Sequence, residues 1–357
     1  RVVSGYFLPE GSDEAEWCDA EGLRRIRMRS LAALRGSIEP VPPAAFARFL
    51  PAWHHMDRTL EGIDGVLQVV EELAGVPIPA SAWESLVLPS RVAGYSPAML
   101  DELTAAGEVV WSGHGQIAGR DGWIALHPGD AVPLTLDEGE DVTDPLDARV
   151  REALEPGGAF FASQIADMVR SRLTADEAAE ISETAVTEAL WRLVWAGRTT
   201  NDTFAPVRQL LSGGSQSHKT VRRAPRTRTF RGMSMSRPAP VRNATAGGRW
   251  SLLPEPEADP TARAAAHASV LLDRYGVVTR GSVQNEGAPG GFAQVYRTLA
   301  TFEEAGHCRR GYLIEKLGAA QFAASSTIDR LRSFAAVPDP APLKARVLAA
   351  TDPANPY

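Results

Sequence analysis

Several chemistries are excluded by what this chain does not contain. Only two cysteines occur, Cys18 and Cys308, far apart and without metal-ligand spacing, so neither a disulfide framework nor a thiolate metal site is expected. No apolar run approaches the ~20 residues a membrane span needs, and the opening RVVSGYFLPEG has no signal-peptide pattern. These two absences, with reduced thiols, lead to an expected cytoplasmic location and no membrane partner. The phosphate loop GxxxxGK[ST] is missing, so no ATP site of that type is expected. His54, His55, His114, His127, His218, His267 and His307 form neither an HExxH pair nor a Cys/His cluster, and no metal is expected. Acid is absent from Thr203 to Pro254.

The remaining composition is that of a globular protein. Of 357 residues 44% are hydrophobic and 23% charged, enough for two or three cores. The net charge of −7 means that any nucleic-acid surface must be local. Both ends read as cut, which suggests a part of a longer polypeptide.

One pattern recurs three times. In Gly290–Ala324, residues Phe292, Val295, Tyr296, Leu299 and Phe302 make one apolar helix face, and Gly306 stands where a left-handed cap would end it. A hairpin follows, with a turn expected at Gly311 and a strand in Tyr312–Leu313–Ile314. Upstream, Ala106-Gly107 and Ala196-Gly197 match Ala305-Gly306. Six residues before each alanine lies Leu100, Leu190 or Leu299, and three before lies Leu103, Leu193 or Phe302. Helix, turn, helix, helix and hairpin is the order of a winged helix. The fold expected is therefore mainly α with small β-hairpins, in at least three tandem winged-helix modules.

The expected boundaries are an N-terminal helical segment at 1–59, winged helices at 60–130 and 145–211, a basic linker at 212–249, a third winged helix at 250–337, and the start of a following module at 338–357. In the first module Ser81 is expected to cap the helix AWESLVL and Ser96-Pro97 to open the third helix. In the second, Asn201-Asp202 is expected to turn a hairpin within TTNDTFAPV.

Candidate nucleic-acid contacts are of three kinds. The linker carries Arg222, Arg223, Arg226, Arg228 and Arg231, with Lys219, Arg237, Arg242 and Arg249, and reads either as a phosphate-binding arm or as a spacer kept soluble by charge. The third module offers Arg297 on its third helix and Arg309 and Arg310 on its wing, tempered by Glu303 and Glu304. The helix at 21–35, with Arg24, Arg25, Arg27, Arg29 and Arg35, reads either as a solvated or domain-bridging face or as one that tracks phosphates. The third helices of the first two modules are acidic at Asp101, Glu102, Glu183 and Glu188, which argues against groove reading. Asp64, Glu84 and Asp101 have the chemistry of general acids or bases but no pattern singles them out. Trp83, Trp111, Trp123, Trp191 and Trp195 offer rings for a flipped base, or simply fill the core.

The segments RMRSLAALRGSIEPV, ARFLPAWHHM, GVPIPASAWESLVLPSRVAGYSPAMLDELTAAGEVVW, GRWSLLPEP and VLAATDPANPY resemble the C-terminal region of the bacterial large helicase-related proteins, Lhr. The resemblance implies a parent that is a superfamily 2, ATP-dependent 3′-to-5′ DNA and RNA–DNA helicase acting in DNA repair. Its ATP and Mg belong to a motor N-terminal to this chain, and no cofactor is implied here. It further implies serial winged helices with a β-barrel module, self-assembly as a tetramer, and single-stranded DNA or an RNA–DNA hybrid as partner. A second function implied is that of a winged-helix glycosylase acting on uracil or alkylated bases. The carboxylate implicated in that activity lies beyond Tyr357, so no catalytic residue is carried over.

Overall fold

The computed structural model describes residues 2–7, 15–36, 39–213, 244–336 and 345–355. The chain divides into two compact units: Arg1–Trp53 with Ala268–Lys344 and Pro356–Tyr357, and His54–His267 with Ala345–Asn355.

The first unit opens with an antiparallel pair, β1 (Val2–Gly5) and β2 (Glu16–Asp19). Helix α1 (Ala20–Gly36) follows, then α2 (Pro43–Trp53), whose first residue is the proline suited to that position.

In the second unit, α3 (Gly62–Glu72) precedes a short strand, β3 (Ile78–Pro79). Three helical pieces then run end to end: Ala80–Ala82, a π-turn at Trp83–Val87, and Leu88–Arg91. Ser81 lies inside this run and is not its cap. Its N–H and hydroxyl donate to Asp121 at 3.2 and 2.6 Å, so a carboxylate from the wing turn satisfies the helix start. Helix α4 (Pro97–Ala106) starts after Ser96 as its composition dictates and stops at Gly107, φ 78°. The hairpin β4 (Val109–Gln116) and β5 (Gly122–Pro128) completes a sheet of order β3-β5-β4.

The next stretch repeats this order with one departure. Helices α5 (Pro145–Leu154), α6 (Ala162–Arg170) and α7 (Glu183–Trp195) are followed by Gly197 at φ 69° and by β6 (Thr199–Asn201). The partner of β6 is not Phe204–Val207. That run is helical, part of α8 (Ala205–Leu211), with Pro206 in its first turn. The partner is β7 (Trp250–Leu252), and Trp250 also bridges to Phe160. The basic stretch placed at 212–249 as a linker therefore lies inside a wing, and this hairpin closes at Leu252 rather than 211.

Helix α9 (Pro260–Tyr275) carries the chain from the second unit back into the first. There β8 (Val277–Val278), α10 (Arg280–Asn285) and α11 (Gly291–Ala305) lead to Gly306, φ 90°. The hairpin is β9 (Arg309–Gly311) with β10 (Gln321–Ala323), in the order β8-β10-β9. Gly311 thus ends a strand instead of turning it, and 312–314 is not the second strand. The Gln321 side chain accepts from the N–H groups of Leu313 and Ile314 at 3.0 and 2.7 Å and donates to the Ile314 carbonyl at 3.0 Å. It replaces a strand partner for that run. Helix α12 (Ser325–Ser333) follows.

In each repeat, then, the strand ahead of the second helix pairs with the last strand of the wing, and the third helix closes at a left-handed glycine. Without a Cβ, glycine enters that conformation at no steric cost. Two repeats share one core in the second unit. A Cβ on Gly113 of β4 would stand 2.4 Å from the Val194 carbonyl oxygen, so α7 approaches the strand to backbone contact. Thr200 donates to the Trp111 carbonyl at 2.7 Å, and the Trp111 ring meets Phe204 edge-on at 6.0 Å. Among the described residues no sheet has more than three strands, and none closes into a barrel.

Candidate nucleic-acid interface

The sequence-predicted arginines fall into different environments. Arg222, Arg223, Arg226, Arg228 and Arg231 lie outside the described residues. Arg249 is engaged at the base of its hairpin, where its N–H and Nε donate to the two oxygens of Asp202 at 2.7 and 2.6 Å. Arg297 is exposed on α11 and Arg309 is half-buried on β9. Arg310 is turned inward. Its Nε sits 3.4 Å from the buried Glu303 carboxylate, its N–H donates to the same group at 3.1 Å, and its guanidinium lies 5.4 Å from the Tyr296 ring centre while bonding the hydroxyl. Glu303 and Arg310, read in sequence as opposing influences on phosphate, neutralise each other within the fold. Arg297 and Arg309 are left as the outward pair of the three.

The third helices of the two repeats in the second unit are tied to neighbours. Asp101 on α4 accepts from the Thr203 hydroxyl at 2.8 Å and the Phe204 N–H at 3.0 Å, and its other oxygen takes the Arg208 guanidinium from α8. Arg208 also donates to Glu84 at 3.0 Å, and Glu84 accepts the Tyr95 hydroxyl at 2.7 Å. Burial first, and Glu84 second, push the Tyr95 phenol well above its ordinary value. The two acids Glu84 and Asp101, unremarkable in sequence, thus converge on one arginine. On α7, Arg192 donates to Asp147 at 2.9 Å. That hydrogen bond raises the arginine pKa further.

Two buried polar clusters have no sequence signature. In the first, Thr135 gives its hydroxyl proton to the Ala131 carbonyl at 3.0 Å, so at 2.9 Å it accepts from His127 Nδ1. His127 Nε2 then accepts from Ser112 Oγ at 2.8 Å, and Ser112 accepts from His114 Nε2 at 2.9 Å. His114 Nδ1 faces Asp137 at 3.8 Å. Burial and then the neighbouring His114 push His127 down to about 3, and burial also lowers His114 against the pull of Asp137. Ser112 is fully buried, so this is a structural chain and not an exposed nucleophile. In the second, Arg91 and Asp352 pair at 2.6 Å with both side chains buried. Burial would raise Asp352, but the Arg91 charge and hydrogen bond and the Ala354 N–H hold it below the usual carboxylate range. The stretch 345–355, expected to begin a following module, is accordingly packed within the second unit.

The proposed base-stacking rings are core residues for the most part. Trp83 and Trp111 are fully buried, Trp191 and Trp195 nearly so, and Trp83 donates to the Ile124 carbonyl at 2.8 Å. Among the described residues no three His, Cys, Asp or Glu side chains gather as a metal site, and no helix is long and apolar enough to cross a membrane.

Comparison with known proteins adds the family. Residues 41–129 and 257–343 each match a winged-helix domain of the large helicase-related protein, described as its third and fourth respectively. A Mycolicibacterium smegmatis protein named "Lhr helicase/ probable uracil glycosylase" is 51% identical over 367 residues, covering 100% of this chain and 24% of its own length. The Escherichia coli "Lhr helicase/uracil glycosylase" is 39% identical over 361 residues, covering 95% of this chain and 23% of its own length. The chain thus spans about a quarter of the curated relatives it matches. Among solved structures, the Streptomyces sahachiroi DNA glycosylase AlkZ aligns at 12% identity with a TM-score of 0.46, over 83% of this chain and 73% of its own, too distant to carry an argument. Two family winged-helix domains, and identity that runs through nearly every residue, place the chain in the large helicase-related family as a C-terminal winged-helix region.

Proposed function

We propose that this region assembles a large helicase-related protein into a homo-oligomer and guides single-stranded DNA, or the DNA of an RNA–DNA hybrid, for a helicase acting in repair. In this reading the chain is built of three tandem winged helices, the middle one running from about 145 to 252. ATP and Mg serve the parent's motor and not this region, and the protein works in the cytoplasm. The observation that carries the proposal is the Asp101–Arg208 contact. It occupies the helix that a winged helix ordinarily offers to the major groove, so α4 serves protein packing. Arg192 on α7 is similarly held by Asp147. Phosphate contact falls instead to the basic arm at Arg222, Arg223, Arg226, Arg228 and Arg231, inserted in the middle wing, and to Arg297 and Arg309.

Sedimentation velocity at micromolar concentration should find oligomers, and a monomer alone would remove the assembly role. Replacing Arg222, Arg223, Arg226 and Arg228 by Ser should weaken single-strand binding and flatten its salt dependence. An unchanged slope would reduce the arm to a spacer. A second reading, a uracil or alkyl-base glycosylase module, is supported by the names the two relatives carry. Release of uracil from a single-stranded oligonucleotide by the purified chain decides it. That reaction needs a carboxylate beside an open ring-lined pocket, whereas Trp83 and Trp111 are closed in the core.

A further inference from the structure

The first unit carries a surface that the repeats do not account for. In the β1–β2 pair, Val2 stands opposite Asp19 and Ser4 opposite Trp17. Side chains alternate along a strand, so Ser4 and Trp17 share one face, and Tyr6, two residues beyond Ser4, extends it. Trp17 and Tyr6 are each 73% exposed, with only the small Ser4 across from the indole. Large rings at that exposure bury nothing, so packing gives no reason for their presence.

Helix α1 leaves directly from β2 and lies against β9, the strand bearing Arg309. Arg24, Arg25, Arg27 and Arg29 are all exposed on it. The nearby acids are partly engaged. Asp19 accepts the Gly22 N–H at 2.9 Å, Glu16 accepts the Phe7 N–H at 2.7 Å, and Glu21 faces Arg25 at 3.5 Å. Guanidinium groups in this number, beside two open rings, complement a polyanion whose bases are unpaired. A duplex hides its base faces, and an apolar protein partner would not call for so many guanidinium groups.

We infer that the β1–β2 hairpin, α1 and Arg309 form a single-strand binding surface. Bases stack on Trp17 and Tyr6, and phosphates run along the arginines of α1 toward β9. The inference rests on the nucleic-acid part of the functional reading and adds a second site, separate in sequence from the basic arm.

The test uses the whole chain and a labelled oligothymidylate of about 15 nucleotides, within the span one such site covers. Binding should quench tryptophan emission. Trp17→Ala and Tyr6→Ala should each weaken binding about tenfold, while Trp17→Phe retains most of it. Arg24→Ser, Arg25→Ser, Arg27→Ser and Arg29→Ser together should lower the slope of log affinity against log salt by roughly 3, at ~0.7 per phosphate contact. Near-UV circular dichroism controls for folding. If the unaltered chain does not bind the oligonucleotide, this inference and the nucleic-acid reading fall together. If it binds and only the basic-arm variant weakens it, the reading stands and the hairpin site is refuted. A hairpin variant that changes sedimentation but not oligonucleotide affinity also refutes the site, and assigns the surface to protein contact.

Discussion

Lowering the pH from 7 to 5 should destabilise the second unit through a single buried imidazole. His127 is held neutral, at about 3, because both ring nitrogens already have partners and water does not reach it. A proton on Nε2 would meet the Ser112 hydroxyl hydrogen that now points there. In the unfolded chain the same group titrates near its ordinary 6.5. Between these values the unfolded state binds a proton that the folded state refuses, so stability is complete above pH 6.5 and falls as the pH drops toward 3. At pH 5 the loss is about 1.5 pH units times 1.36 kcal/mol, or about 2 kcal/mol. That figure depends on the unfolded value and hardly at all on where below 4 the folded group lies.

The measurement is urea unfolding at pH 7 and pH 5, followed by tryptophan emission, for the parent chain and for His127→Gln. Glutamine keeps an acceptor for Ser112 and cannot titrate. His114, also depressed in the fold, shifts stability in the same direction but is present in both proteins and largely cancels. The parent should lose about 2 kcal/mol more than the variant over this range. Equal losses in the two would refute the argument, as would an imidazole NMR signal of His127 that titrates above pH 5 in the folded protein.

Three further outcomes follow from contacts of different physical kinds. Arg91→Met strands the buried Asp352 carboxylate and should cost about 3–5 kcal/mol, whereas Arg91→Met with Asp352→Leu should recover most of it, both read from urea midpoints. Gly306→Ala meets open space but a φ of 90°, and should cost about 1–2 kcal/mol of backbone strain alone. Gly113→Ala should cost about 1–3 kcal/mol for the opposite reason, since the added methyl would press the Val194 carbonyl across the α7–β4 contact. Hydrogen exchange should report that last loss in both elements together.

How much of this was readable from sequence follows the range of each interaction. The three Ala-Gly pairs were legible because a helix stop is local: a left-handed residue must follow the last turn, and glycine is the residue that adopts it. The inward stripe of α7 was legible for the same reason, with Val186, Leu190, Leu193 and Val194 all buried as their spacing dictates. The partner of Thr199–Asn201 was not. A nearby run looked sufficient for a hairpin, while the true partner at Trp250 lies far along the chain. Gly311 misled in a related way, because the Gln321 amide occupies the hydrogen bonds that a strand after Gly311 would have used. At the candidate site, Arg310 seemed as available as Arg309. Only the tertiary placement of Glu303 and Tyr296 beneath it shows otherwise. Asp101 and Arg208 carry no pattern that joins them, since their pairing is made by packing one repeat on the next.

The wing between Thr199–Asn201 and Trp250–Leu252 has an evolutionary consequence. Its two ends are fastened side by side by strand pairing, by the Asp202–Arg249 contact and by the buried Trp250, whatever chain runs between them. Closing such a loop grows costlier only with the logarithm of its length, about 0.6 kcal/mol for each doubling. The fold therefore places little constraint on what is inserted there. Lineages of the family are free to lengthen, shorten or recharge this one stretch, and so to retune what the region holds, while the helices on either side keep their cores unchanged.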